Sequence, residues 1–211
     1  MQGQQHPLLY CARHGTTTLN SSNCYRGAID VPLDSAGRKD AHRLAFFFAG
    51  IEIYPVIYLS DRKRTRETAS IIGQRQTDIE YRELPQLRAL NLGHLSGQKR
   101  TAETEQEIQE HVKNPDMLFE DGESLNDFRS RVRPLIGEAI ELAQSSGFPV
   151  LFVVHSSIVH ELGEVFEGDH NATLVRPGGV ACAYIHDGRV QAEPVLKPDL
   201  ARVKSRQEVI S

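Results

Sequence analysis

The sequence has no tryptophan and only two methionines, so it lacks the residues from which adaptable apolar recognition surfaces are usually built. Its three cysteines, Cys11, Cys24 and Cys182, are odd in number, widely spaced and without a CxxC pair. That pattern excludes a disulfide framework and fits reduced thiols in a cytoplasmic setting. The longest apolar runs, at 44–49 and 150–154, fall far short of the roughly 20 residues needed to cross a bilayer. The start, Met1-Gln-Gly-Gln-Gln-His-Pro, has neither the basic nor the apolar region of a secretory signal. There is no internal repeat and no low-complexity tract. Nor is there an excess of positive charge: 24 Lys and Arg stand against 28 Asp and Glu, a formal charge of −4. A domain that grips nucleic acid by its phosphates carries the opposite bias.

What is present is ordinary globular usage, 39% hydrophobic and 25% charged, in 211 residues. A chain of this length buries about 70% of its extended surface and needs no metal or disulfide staple. Leu8, Leu9, Tyr10, Cys11 and Ala12 form a short apolar run that stops at Arg13-His14-Gly15, as a buried strand opening into a loop would. From Asp34 to Gly50 the spacing becomes helical, with Asp34 or Ser35 as cap and Ala41, Leu44, Ala45 and Phe48 on one face. Residues 56–59 read as a strand, followed by Ser60-Asp61 and a helix through Ile72. A short acidic helical pattern spans 101–112 within a polar, irregular stretch. Ser124 then caps the clearest helix, whose apolar stripe runs from Leu125 to Ala143 before Gly147 ends it. Val150–Val154 is a fully apolar strand ending at His155, and helical spacing resumes at Ile158. Asp187-Gly188 marks a type I′ hairpin between strands at 180–186 and 189–195.

Strands alternating with helices predict an α/β fold: a three-layer α/β/α sandwich around a mostly parallel sheet. No linker divides the chain, so 1–211 is expected to be one domain, with a cap inserted at 98–123 and a loose polar tail over 198–211.

Three strands end in polar clusters, at Arg13-His14-Gly15, at Ser60-Asp61 with Arg64, and at His155. Open α/β sheets bind ligands at the carboxyl ends of their strands. Two histidines and two arginines delivered there would form a positive pocket in a net-negative protein. Its natural guest is a phosphoryl dianion held by planar guanidinium groups. Arg62, Lys63 and Arg66 are more simply a solvated face. The early helical position of these cations opposes the helix dipole, a conflict that an anion before Arg64 would relieve.

The run Arg13-His14-Gly15-Thr16-Thr17-Thr18-Leu19-Asn20 resembles the RHGxTxxN signature of the histidine phosphatase superfamily, the phosphoglycerate mutase-like proteins. The likeness continues in order through Arg26-Gly27, Asp30-Val31-Pro32-Leu33 with Gly37, then Ser60 to Ala69, Leu92-Gly93 with Gly97, Gly122-Glu123-Ser124 and Val153-Val154-His155. The resemblance implies that His14 attacks phosphorus and becomes transiently phosphorylated. It implies that Arg13, Arg64 and His155 hold the equatorial oxygens, with Thr17, Asn20, Arg26 and Gly27 at the phosphate edge. It calls for a small phosphorylated substrate and for no cofactor, metal, nucleic acid or membrane. One position departs from the pattern. Where the family places a carboxylic acid after Leu87-Arg88, this sequence has Ala89. The departure predicts a phosphatase specialised away from alkyl esters, or one with a substitute acid: Glu123 first, then Asp30 or Glu83. Glu123, next to Ser124, could equally serve only the helix N-terminus. A mutase and a weakly active phospho-ligand-binding module stay open as alternatives.

Overall fold

The computed structural model describes residues 6–197; the tail expected over 198–211 lies outside them. In chain order the strands are β1 (His6–Arg13), β2 (Val56–Leu59), β3 (Glu80–Glu83), β4 (Val150–Val154), β5 (Val180–His186) and β6 (Arg189–Leu196). The helices are α1 (Thr18–Ser21), α2 (Ser35–Phe48), α3 (Lys63–Gly73), α4 (Ala102–Lys113), α5 (Leu125–Ser146) and α6 (Ser156–Glu167). All six strands join one sheet in the order β3-β2-β4-β1-β5-β6. The ladders β2–β3, β2–β4 and β4–β1 are parallel, and β1–β5 and β5–β6 are antiparallel.

The period of two along a strand sends alternate side chains to opposite faces. Leu9, Cys11, Val150, Phe152, Val154, Ala181 and Ala183 pack beneath Phe128, Val132 and Ile136 of α5 and Ile158 and Leu162 of α6. Tyr10, Ala12, Ile57, Leu59, Leu151, Val153 and Cys182 face the other way, onto Leu44 and Phe48 of α2 and Ala69 and Ile72 of α3. β4, between β2 and β1, is buried along its whole length, which is why its sequence shows no alternation.

Each boundary has a local cause. Asp34 Oδ1 accepts from Gly37 N at 2.7 Å and starts α2. Ser124 Oγ accepts from Asp127 N at 3.0 Å to start α5, and Gly147 closes it with φ +79°. In the β5–β6 turn Asp187 and Gly188 take φ of +50° and +76°, both positive as a type I′ turn requires. The sequence pattern does not anticipate β3 or the single turn of α1. The stretch 98–123 contains α4 and is anchored at both ends. Tyr25 N donates to Gln98 O at 2.9 Å, His94 N donates to Glu120 O at 2.9 Å, and the His111 ring stacks on Phe119 at 3.7 Å. No helix among the described residues is long and apolar enough to cross a membrane.

Candidate active site

Pairing of Arg13 with Val154, and of Leu59 and Ala12 with Val153, aligns the carboxyl ends of β2, β4 and β1. The residues that follow those strands therefore meet at one edge. His14, Arg64 and His155 are fully or almost fully buried there, and Arg13 is nearly so. The His14 and His155 rings stand 5.3 Å apart.

His14 is held from behind. Its backbone N donates to Val154 O at 3.0 Å, and its Nδ1 lies 2.6 Å from Gly15 O. A carbonyl can only accept, so Nδ1 carries the proton and Nε2 keeps its lone pair. That Nε2 is buried with no hydrogen-bond partner. Gly15 can only be glycine: a Cβ would lie 2.2 Å from Gly37 O, where the loop crosses the start of α2.

The arginines are anchored on carbonyls, with donors to spare. Arg13 Nη1 donates to Val175 O at 2.7 Å, leaving Nε buried without a partner. Arg64 Nη1 donates to Ile29 O at 2.9 Å and Nε to His155 Nδ1 at 3.3 Å, while Nη2 is buried and unpartnered. Because a guanidinium only donates, His155 Nδ1 must accept, and its Nε2 then donates to Ser60 Oγ at 2.8 Å. Both His155 nitrogens are thus committed to protein. Its bonds join Ser60 to Arg64 and so orient the Arg64 guanidinium.

The electrostatics are one-sided. Burial draws Arg13 down to about 10, with Arg100 adding to the effect. Burial does the same to Arg64, against the pull of Asp30. Arg26, half-buried, falls to about 9 through burial and through Arg13, Arg64 and Arg100. Burial first, then the surrounding guanidinium groups, push His14 and His155 well below the usual histidine value. Buried charges are normally paired, yet among the described residues Arg13, Arg26 and Arg64 make no ion pair. An anion is the kind of group that could pair with them.

Thr17 and Asn20 face each other. The Thr17 backbone N and hydroxyl both donate to Asn20 Oδ1, at 3.1 and 3.0 Å. Gly27, with φ +48°, lines a cleft of about 410 Å³ beside the arginines, together with Ala28, Arg62, Arg88, Ala89, Glu123 and Arg131.

Ala89 therefore does stand in the cleft, but the candidate substitute acids are otherwise engaged. Glu123 accepts from Asn91 N at 2.8 Å and from Arg131 Nη2 and Nε at 2.6 and 3.0 Å. Arg131 also donates to Arg88 O and Ala89 O, at 2.9 and 3.0 Å. Both Glu123 oxygens accept, so it latches 86–91 to α5 instead of presenting a proton. Asp30 Oδ1 accepts from Lys63 N at 2.8 Å. Glu83 is chelated by Arg66 at 2.6 and 2.7 Å, which lowers its pKa. Glu123 and Glu83 thus have both oxygens held by arginine, whereas Asp30 has one oxygen engaged. The sequence signals marked Ser60 and Thr68 as part of a matching block without giving either a role, and did not expose Arg131. Thr68 Oγ1 accepts from Gly15 N at 3.2 Å, across 53 positions.

With that geometry in place, the likeness to known proteins is specific. Residues 9–186 match the model of the Histidine phosphatase superfamily (branch 1). The probable phosphoglycerate mutase GpmB of Citrobacter koseri is 32% identical over 145 residues, 65% of either chain. The metal-independent phosphoserine phosphatase of Arabidopsis thaliana is 34% identical over 85 residues, 40% of this chain and 36% of its own. The chain thus covers less than two thirds of these relatives' lengths. The crystal structure of a Bacillus anthracis phosphoglycerate mutase superposes with a TM-score of 0.71 at 24% identity, covering 92% of this chain and 94% of that one, and so shares the fold. A model match across most of the described residues leaves no doubt of kinship: the chain belongs to the histidine phosphatase superfamily, branch 1.

Proposed function

We propose that this chain is a phosphatase that hydrolyses small phosphorylated substrates through a phosphohistidine at His14. The observation that carries this is the unpartnered Nε2 lone pair of His14 among the unpaired guanidinium groups of Arg13 and Arg64. An anion there would satisfy two buried orphan donors, Arg13 Nε and Arg64 Nη2, and would bring an electrophilic phosphorus up to the His14 lone pair. His14 Nε2 attacks phosphorus as the bond to the leaving oxygen breaks. Arg13, Arg64 and Arg26 hold the equatorial oxygens, where the charge of the transferring group is spread. His155 positions Arg64. Water then attacks phosphorus, the N–P electron pair returns to Nε2, and the water proton passes to phosphoryl oxygen. No cofactor enters the scheme. The stretch 98–123 serves as a cap on the single domain.

Both phosphatases and mutases stand among the relatives. Ala89 favours hydrolysis, because a mutase must protonate and deprotonate an alkyl hydroxyl in every cycle and position 89 supplies no group for it. Rapid quench with 4-nitrophenyl phosphate, followed by intact mass, tests the scheme. An acid-labile phosphoryl adduct is expected on the protein and not on His14→Ala. An unmodified protein that still turns over would overturn the intermediate. Isomerised product in place of free phosphate, from a monophosphoglycerate with a bisphosphoglycerate primer, would overturn hydrolysis.

A further inference from the structure

The cleft beside the phosphoryl site carries three guanidinium groups, and their partners differ. Arg88 is held bidentately by Asp61, and Arg131 by Glu123. Arg62, half-buried at the start of α3, makes no ion pair or side-chain hydrogen bond among the described residues. The cleft therefore holds one cation without a hydrogen-bonded partner; a carboxylate that feels its charge, Asp61, accepts its hydrogen bonds from Arg88. Ala89, which lines the same cleft, supplies no carboxylic acid to protonate a leaving alkoxide. Arg62 is also close enough to Arg64 and His155 for its charge to disfavour their protonated forms, so it belongs to the same electrostatic unit.

An alkoxide leaving group needs a proton. An anionic phosphate leaving group needs none, but it needs its charge balanced. This cleft lacks the first provision and has the second. We propose that Arg62 is a specificity-determining residue for substrates whose leaving group is itself a phosphate, namely the terminal phosphoryl group of a phosphoanhydride. The inference rests on the phosphohistidine reading above. The bond from phosphorus to the bridging oxygen breaks, its electron pair stays on that oxygen, and the leaving phosphate departs as an anion beside Arg62. The N–P bond forms at His14 in the same step, and no proton moves until water enters.

The test compares kcat/KM for three probes: a diphosphate such as ADP, glycerol phosphate as an alkyl ester, and 4-nitrophenyl phosphate. The wild type is expected to favour the diphosphate over the alkyl ester by at least about tenfold. That advantage is smaller than the ~10²–10⁴ that general acid catalysis supplies. Arg62→Gln is expected to cut the diphosphate rate about tenfold or more and the 4-nitrophenyl phosphate rate less, with Arg62→Lys recovering part of the loss. In the opposite direction, Ala89→Glu restores an acid, so it should raise the alkyl ester and lower the diphosphate through like-charge repulsion. Equal losses on all three probes in Arg62→Gln, or an untouched diphosphate while 4-nitrophenyl phosphate is cleaved, would overturn the inference and leave the phosphohistidine intact. No turnover of any probe and no adduct at His14 would instead overturn the underlying mechanism.

Discussion

An imidazole shut off from water and ringed by guanidinium groups binds a proton poorly, since its cation would lose hydration and meet like charge. His14 and His155 are in that position, and both are pushed well below 6.5. In an NMR titration of the ligand-free protein the two rings are expected to stay neutral through pH 6.5. A midpoint at or above that value for His14 would contradict the electrostatics described. A second residue-level expectation concerns Glu123, whose oxygens hold Arg131 and, through it, the carbonyls of Arg88 and Ala89. Glu123→Gln should lower stability by about 1–2 kcal/mol through the lost charged hydrogen bonds. Thermal unfolding reads this, and the ratio of aryl to alkyl phosphate turnover should not change; a selective loss on the alkyl ester would reinstate Glu123 as the acid. At this scale much of the site was legible, because the Arg13-His14-Gly15 tripeptide and the strand-end positions of Arg64 and His155 are local features. The bonds that tune them were not. Ser60 reaches His155 across 95 positions, and nothing in either neighbourhood announces the other.

Elements bring these side chains together only where backbones can approach closely. The loop after β1 runs against the first turn of α2, with Asp34 N donating to Thr16 O at 3.1 Å and Thr16 N donating to Asp40 Oδ2 at 3.0 Å. A Cβ on Gly37 would lie 1.9 Å from Thr16 O, and neither backbone can yield without moving His14. Gly37→Ala should therefore cost about 2–4 kcal/mol and depress turnover beyond what the remaining folded fraction explains. Gly50→Ala, just past the same helix, meets nothing within 4 Å and should leave turnover unchanged. Measuring the two together by denaturant unfolding and by turnover separates a backbone clash from a general glycine effect; equal behaviour would refute the clash. Elements with strong periodicity or caps, such as α5 and β4, could be read from sequence because packing and pattern coincide. β3 could not, since Glu80, Tyr81, Arg82 and Glu83 are all exposed on an edge strand and join the sheet through backbone bonds to β2. The cleft was hidden for a related reason: its walls come from 27–28, 62, 85–91, 123 and 131, and no periodicity links them.

For the whole molecule, a formal charge of −4 coexists with a buried cluster of unpaired arginines and neutral histidines. The cluster strains the folded state, and two consequences follow. The unfolded chain protonates its histidines near pH 6.5, whereas folded His14 and His155 resist protonation to well below that value. The unfolded state then binds more protons in that window. The stability they contribute is full above pH 6.5 and is lost as pH falls below it toward their folded values. An oxyanion in the pocket acts the other way, binding the folded state alone. At a concentration 100 times its dissociation constant, phosphate or vanadate should add about 2.7 kcal/mol, a rise in Tm of about 5–10 °C for a chain of this length. Chloride at matched ionic strength should give little of this, because screening does not fill the orphan nitrogens of Arg13 and Arg64. Thermal scans at pH 7.5 and 5.5, with each salt, check both effects. A Tm that follows ionic strength alone would mean that the guanidinium cluster is merely screened by salt. A Tm insensitive to acid below pH 6.5 would mean that the two imidazoles take up protons in the fold as readily as in the open chain.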